Sequence, residues 1–277
     1  MSSAQPYVAQ DSVTDPGRHA GLYDDLPLEP SRLREVVSRL MIHVSWATHY
    51  GIPPNTPMPR DTLSVADRLT LTLGLAAGSL LEKRGFDKRS FGTCRDYALM
   101  LCSMLRHQSI PARVRCGFAT YFTVGPYEDH WICEYWARSS RRWVRSDAQL
   151  DDVHRKYLTI GYDPADLPDH AFVTAGQAWK MARSGGASPE AFGHSNAKGW
   201  WFLRVNIHRD LFALTNQYMS PWDAWRRSTP ISKVLAPADF AALDQLAEST
   251  DAINFASSQF STLKVTASSC QFPPWQS

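Results

Sequence analysis

Long hydrophobic runs, paired cysteines and an excess of charge of one sign are all missing from this 277-residue chain. No apolar stretch approaches the roughly 20 residues that a membrane-spanning helix requires, so no contact with a bilayer is expected. Twenty-nine basic residues nearly balance 27 acidic ones, a formal charge of +2, and no bulk field favours nucleic acid. The five cysteines, at 94, 102, 116, 133 and 270, are odd in number and form no C-x-x-C pair. The opening stretch "MSSAQPYVAQDSVTDPG" has neither the basic nor the apolar region of a secretory leader. A reducing, cytoplasmic setting with free thiols is the expectation. No internal repeat or low-complexity segment stands out.

What is present is ordinary in bulk: 44% apolar and 20% charged residues, in a chain long enough to bury a sizeable core. Ten Trp, ten Tyr and twelve Phe are many for the length. Most are expected to fill the core, with Trp131, Trp136, Trp200 and Trp201 as candidates to line a pocket.

Residues 1–30, rich in Pro, Asp, Ser and Gly, read as a loosely ordered arm. A helix is expected from Ser31 as N-cap through Leu33, Val36, Val37, Leu40, Met41, Val44 and Ala47, closed by Gly51 and Pro53. After the linker "IPPNTPMPRD" a second helix is predicted over 64–84, stopped by Gly85. A third begins at Cys94, with Tyr97, Ala98, Leu101, Cys102 and Leu105 as its buried stripe, and ends before Pro111. The period then changes. "ARVRCGFATYF", "HWICEYWA" and "RRWVRSD" read as antiparallel strands, joined by turns at Gly125–Pro126 and Ser139–Ser140. Helices return in "AFVTAGQAWKMAR", "GWWFLRVNIHRDLFALTNQYM" and "PADFAALDQLAE". The expected organisation is one α+β domain over 31–250, with a core at about 65–152, a helical part at about 153–250 and a tail at 251–277.

Cys94 stands where a polar loop becomes an apolar-periodic helix, with Thr93 as candidate N-cap. Unpaired N–H groups and the positive end of the helix dipole favour a thiolate there. His130 begins one strand 36 residues later, and Asp147 ends the next strand 17 residues after that. A hairpin would bring the histidine and the aspartate to the same end of the sheet. Thiol, imidazole and carboxylate together are what covalent acyl transfer requires.

"GTCRDYALMLCSMLRHQSIPARVRCGF", "EDHWICEYW" and "RRWVRSDAQLD" resemble, in order, the Cys-bearing helix, the His-bearing strand and the Asp-bearing strand of the transglutaminase-like superfamily. The resemblance spans roughly residues 65–152. "SIPAR" has Ser where the family usually has Gly before the Ile. "RLMIHVSWATHYG" and the C-terminal "PWDAW" region resemble stand-alone bacterial members. The resemblance implies a papain-like α+β fold with Cys94 as nucleophile, His130 as base and then acid, and Asp147 orienting His130. It also implies chemistry through a thioester, with no metal and no cofactor. The acyl donor would be a small molecule or bound to a carrier protein, and an amine or water the acceptor. The Cys94 N–H and, by family analogy, Trp46 are the candidate oxyanion donors.

Arg138, Arg141, Arg142 and Arg145 form a candidate docking patch for an anionic donor. Cys102, Cys116 and Cys133 read as core, and His107 as a helix-end residue. His43 and His49 lack metal-ligand spacing. Asp151 and Asp152 compete with Asp147 for the third position, although a solvated or capping role suits them better. Glu128 and Asp129, just before His130, are candidates to tune it, although a polar turn predicts the same residues. A peptidase of the same fold, or an idle binding protein, remain the alternatives to acyl transfer.

Overall fold

The computed structural model describes residues 5–60, 62–122, 126–217, 234–252 and 257–270. The chain gathers into two compact units, one of residues 7–114 and 132–167, the other of residues 1–6, 115–131 and 168–277. Helices and strands are mixed throughout, as an α+β chain requires.

In the unit that carries Cys94, α1 (Pro30–Ser38) has Pro at its first position and buries Leu33, Val36 and Val37. The expected helix to Ala47 does not continue. Met41–His43 form a short strand, β1, and Val44–Tyr50 a 3-10 helix closed by Gly51 at φ 78. The reason is tertiary. β1 lies parallel to β2 (Ser90–Gly92), with Ile42 opposite Phe91, and that ladder overrides a helix-compatible spacing.

Helix α2 (Val65–Leu75) starts as expected, with the Ser64 hydroxyl accepting from the Asp67 N–H at 3.1 Å. It ends nine residues before Arg84, because the chain becomes extended at Ala76 and turns at Gly78, where φ is 116. Helix α3 (Cys94–His107) has the expected start, and it buries Tyr97 through Arg106.

From Tyr7 to Tyr23 the N-terminal segment is packed rather than loose. Tyr7 and Tyr23 are both 2% exposed. The buried Arg106 guanidinium needs a counter-charge, and Asp11 supplies one at 2.6 Å. Strands β3 (Ala112–Ala119) and β4 (Tyr127–Ala137) run through both units. β5 (Arg142–Ser146) pairs antiparallel with β4, Cys133 opposite Ser146 and Ala137 opposite Arg142. Helix α4 (Asp152–Tyr157) follows.

In the other unit the strand order is β6 (Phe172–Thr174), β3, β4, β7 (Phe192–His194), β8 (Ala197–Lys198). Gly117 is required in β3, because a Cβ there would stand 2.2 Å from the Val173 carbonyl oxygen. The three expected helices are α5 (Ala175–Arg183), α6 (Trp200–Leu214) and α7 (Pro237–Asp251), and α8 (Ser257–Ser269) comes after them. The α6 carboxylate of Asp210 holds Arg115 of β3 through two hydrogen bonds, at 3.0 and 2.8 Å. Gly125, the "PWDAW" segment and residues 271–277 lie outside the described residues. Among the described residues no helix is long and apolar enough to cross a membrane, and no cluster of His, Cys, Asp and Glu is arranged to hold a metal.

Candidate active site

Cys94 is the first residue of α3, and its position is held from both sides. The Asp96 carboxylate accepts from the Thr93 N–H at 2.7 Å and from the Thr93 hydroxyl at 3.0 Å. Arg68 from α2 stands 3.2 Å from the same carboxylate, and both side chains are buried. The Arg68 guanidinium also donates to the Phe91 and Arg60 carbonyls, tying α2 to the strand that leads into Cys94. At Gly92 an added Cβ would press on Asp96 and on Met41 at 3.3 Å, so the approach to the helix is close-packed. Cys94 is partly exposed, whereas Cys102, Cys116 and Cys133 are fully buried, as their core reading expects. Burial pushes the Cys133 thiol well above its ordinary pKa, with a hydrogen bond to Cys102 adding to the effect.

The parallel β1–β2 ladder pairs His43 with Gly92. The turn carrying Trp46 and the helix start carrying Cys94 therefore leave the ladder at the same end. The Trp46 ring lies tilted against His49 at 4.6 Å and against His154 at 4.3 Å.

Asp147 follows the last residue of β5 and is 1% exposed. Its N–H donates to the Pro164 carbonyl at 2.8 Å, and its Oδ1 accepts from the Gln149 N–H at 2.8 Å. Arg34 donates to the Leu150 carbonyl at 2.6 Å, fixing the same turn from α1. Burial, with the negative charge of Asp147 nearby, pushes the Tyr162 hydroxyl up to about 12.

His130 lies in β4, in the unit that does not contain Cys94, Asp147 and Trp46; β4 passes from one unit to the other after Trp131. It is 2% exposed, with its ring against Phe122 at 5.1 Å and Tyr121 at 5.8 Å. The neighbouring acids have their own partners. Asp129 accepts from Asn206 at 3.1 Å and Arg209 at 3.2 Å, and Glu128 pairs with His194. The Asn206 and Arg209 contacts join two elements that the sequence reading treated separately.

Of the four arginines proposed as a docking patch, Arg138, Arg141 and Arg142 are exposed and Arg145 is half-buried. Arg142 pairs with Asp166, and Arg145 stands 3.4 Å from Glu134, which also binds Arg113 at 2.8 Å. Arg138 and Arg141 stand at the exposed tip beside Arg142. Of the pocket candidates, Trp131 is buried, Trp200 packs on Trp179 and Phe240, and Trp201 packs on Phe202. Asp151 is a cap, as expected: it accepts from the Val153 and His154 N–H groups at 3.0 and 3.2 Å. His154 was missed by the sequence reading, where its only signal is its place three residues after that cap.

No curated protein sequence matches the chain. A solved structure named as a candidate cysteine protease, from Cytophaga hutchinsonii, is 17% identical over 62% of this chain, with a TM-score of 0.37. This chain spans 45% of that protein's length. Residues 76–148 match the transglutaminase-like superfamily, and that segment contains Cys94, His130 and Asp147. That segment, with the cysteine-bearing helix at its centre, is similar to the transglutaminase-like superfamily; the match covers about a quarter of the chain.

Proposed function

We propose that the chain transfers or hydrolyses acyl groups through a thioester on Cys94. The Cys94 sulfur attacks the carbonyl carbon of an amide or thioester donor, small or carrier-bound, while His130 takes the thiol proton. Collapse of the tetrahedral intermediate breaks the bond to the leaving group, which departs with the proton that His130 returns. An amine or water then attacks the thioester, giving a proton to His130 as the Cys94 thiolate leaves. Asp147 orients the imidazole and stabilises its charged form. The Cys94 N–H and the Trp46 indole N–H stabilise the oxyanion.

The observation that carries this reading is the placement of Cys94: first residue of a fourteen-residue helix, partly exposed, inside the matched segment. The parallel β1–β2 register and the anchored Asp147 turn support the other roles. The test is the pH dependence of iodoacetamide alkylation at each cysteine, mapped by mass spectrometry, in the wild type and in His130→Ala. Cys94 should alkylate with an apparent pKa well below the free-thiol value of about 8.5 and lose that advantage in the variant. Equal reactivity of Cys94 and Cys270 in both proteins would refute the reading and favour an idle binding protein.

A further inference from the structure

Next to the proposed catalytic residues is a buried polar cluster that the reaction as written does not use. His154 is fully buried. Its Nδ1 lies 2.9 Å from the Asp151 carboxylate and 3.3 Å from the Tyr50 hydroxyl, and its Nε2 is 3.4 Å from the Gln149 side-chain nitrogen. The Asp151 backbone N–H also faces Nδ1, at 3.5 Å, but the closer contact is to the carboxylate, which can only accept; that contact assigns the proton to Nδ1 and leaves the Nε2 lone pair to the Gln149 amide N–H. The Gln149 backbone N–H is the one that holds Asp147. One face of the His154 ring lies under Trp46 at a centroid distance of 4.3 Å, and His49 covers the indole at 4.6 Å. Tyr157 stands edge-on to both Trp46 and His49, at 6.5 and 4.6 Å.

An indole held by such tilted ring contacts alone would be free to shift. Here the ring beneath it is fixed by hydrogen bonds at both nitrogens. Asp151 is in turn fixed by the backbone N–H groups of α4 and by Arg89 at 3.5 Å. Although burial alone would raise the Asp151 carboxyl, the hydrogen bonds that it accepts from His154 and from the Tyr50 hydroxyl hold it below the usual carboxylate range. The anion that sets the tautomer is therefore stable at neutral pH.

We propose that His154 is a positioning residue of the proposed acyl-transfer site, its doubly hydrogen-bonded ring holding the Trp46 indole in place and linking it through Gln149 to the Asp147 turn. This rests on the reading of Cys94 and Trp46 given above, and it adds a second, non-catalytic histidine to the site. His154 takes no proton in the reaction. Its contribution is to the stabilisation of the tetrahedral oxyanion.

Two reactions of the same thiol separate that role from others. Alkylation by iodoacetamide is a direct displacement with no tetrahedral oxyanion, whereas acylation by p-nitrophenyl acetate passes through one. In His154→Asn, which keeps a donor toward Asp151 but loses the ring, the acylation rate should fall about tenfold to a hundredfold, short of the 10²–10³ loss seen when an oxyanion donor is removed outright. Alkylation of Cys94 should stay within about twofold. Trp46→Phe should show the same pattern, and the double variant should be no slower than Trp46→Phe alone, since both changes act on one interaction. Unchanged acylation in His154→Asn, an additive double variant, or equal losses in both reactions would each overturn the proposal. If His154→Asn does not fold, Gln149→Met serves. It strands no charge and should still slow acylation several-fold without slowing alkylation; an unaltered ratio overturns the proposal. A wild-type Cys94 without enhanced alkylation refutes the nucleophile reading instead, so the two failures are told apart.

Discussion

Replacing Asp96 by alanine should both unfold the protein more easily and unsettle Cys94, the proposed nucleophile. The carboxylate takes two hydrogen bonds from Thr93 and faces Arg68 at 3.2 Å, with both charged side chains buried. Removing it deletes a helix cap, a change of about 1 kcal/mol. It also leaves the Arg68 guanidinium buried without its counter-charge, and breaking a buried pair in this way costs about 3–5 kcal/mol in all. With a urea slope of about 3 kcal/mol/M for a chain of this size, the unfolding midpoint should drop by about 1–1.7 M. Arg68→Met should offset part of the loss, because no charge is then stranded, and the double-mutant cycle should give a coupling above about 1 kcal/mol. Asp96→Asn should fall between, since it still accepts from the Thr93 N–H. The assay is equilibrium urea unfolding by circular dichroism, with Cys94 alkylation measured at low urea. A loss below about 1 kcal/mol for Asp96→Ala, or a coupling near zero, would show that Asp96 does not anchor the helix start as its contacts indicate.

Asp210→Ala removes the carboxylate that accepts two hydrogen bonds from the buried Arg115 guanidinium, its counter-charge, and should cost about 3–5 kcal/mol, read as a urea midpoint shift. Gly117→Ala should disrupt the β3–β6 pairing, since its Cβ would lie 2.2 Å from the Val173 oxygen; accelerated amide exchange at Phe118 and Val173 checks this. Burial lowers the His208 pKa to about 4. Its unfolded value is about 6.5, so the unfolded chain binds more protons between those pH values and stability must fall as pH drops through that window. The loss at pH 5, relative to pH 7, should be about 1–2 kcal/mol after allowing for the partly exposed ring, and His208→Gln should remove it.

The elements that the sequence made legible are long and locally determined. Helix α3 shows its stripe over fourteen residues, and the β4–β5 hairpin shows its alternation and its Ser139–Ser140 turn. The three-residue strands β1 and β2 were hidden, because Met41 and Ile42 also fit a helical spacing and their partners lie some 50 residues away. Polar pairings were hidden for the same reason: nothing local links Arg115 to Asp210, 95 positions later, or Asp129 to Arg209. In the N-terminal segment composition pointed the wrong way. Proline and aspartate suggest a loose chain, but Tyr7, Tyr23 and Asp11 fasten it. Cys94 could be singled out because helix-start chemistry is local. His154 could not, since its importance comes from Trp46, Asp151 and Gln149 meeting around one ring.

That the cysteine is the first helical residue has a consequence for how the site could have arisen or be moved. A helix turns by about 100° per residue, so the direction of a side chain is set by a count along the chain. One residue earlier, a thiol would occupy the cap and displace Thr93. One residue later, it would point around the barrel of the helix, where Arg95 is buried. The proposed nucleophile and the N–H proposed to stabilise its product belong to one residue and cannot be relocated separately. A deletion or insertion of a single residue between Gly92 and Asp96 should therefore abolish reactivity at once, whereas the β4–β5 tip should tolerate length changes with little effect.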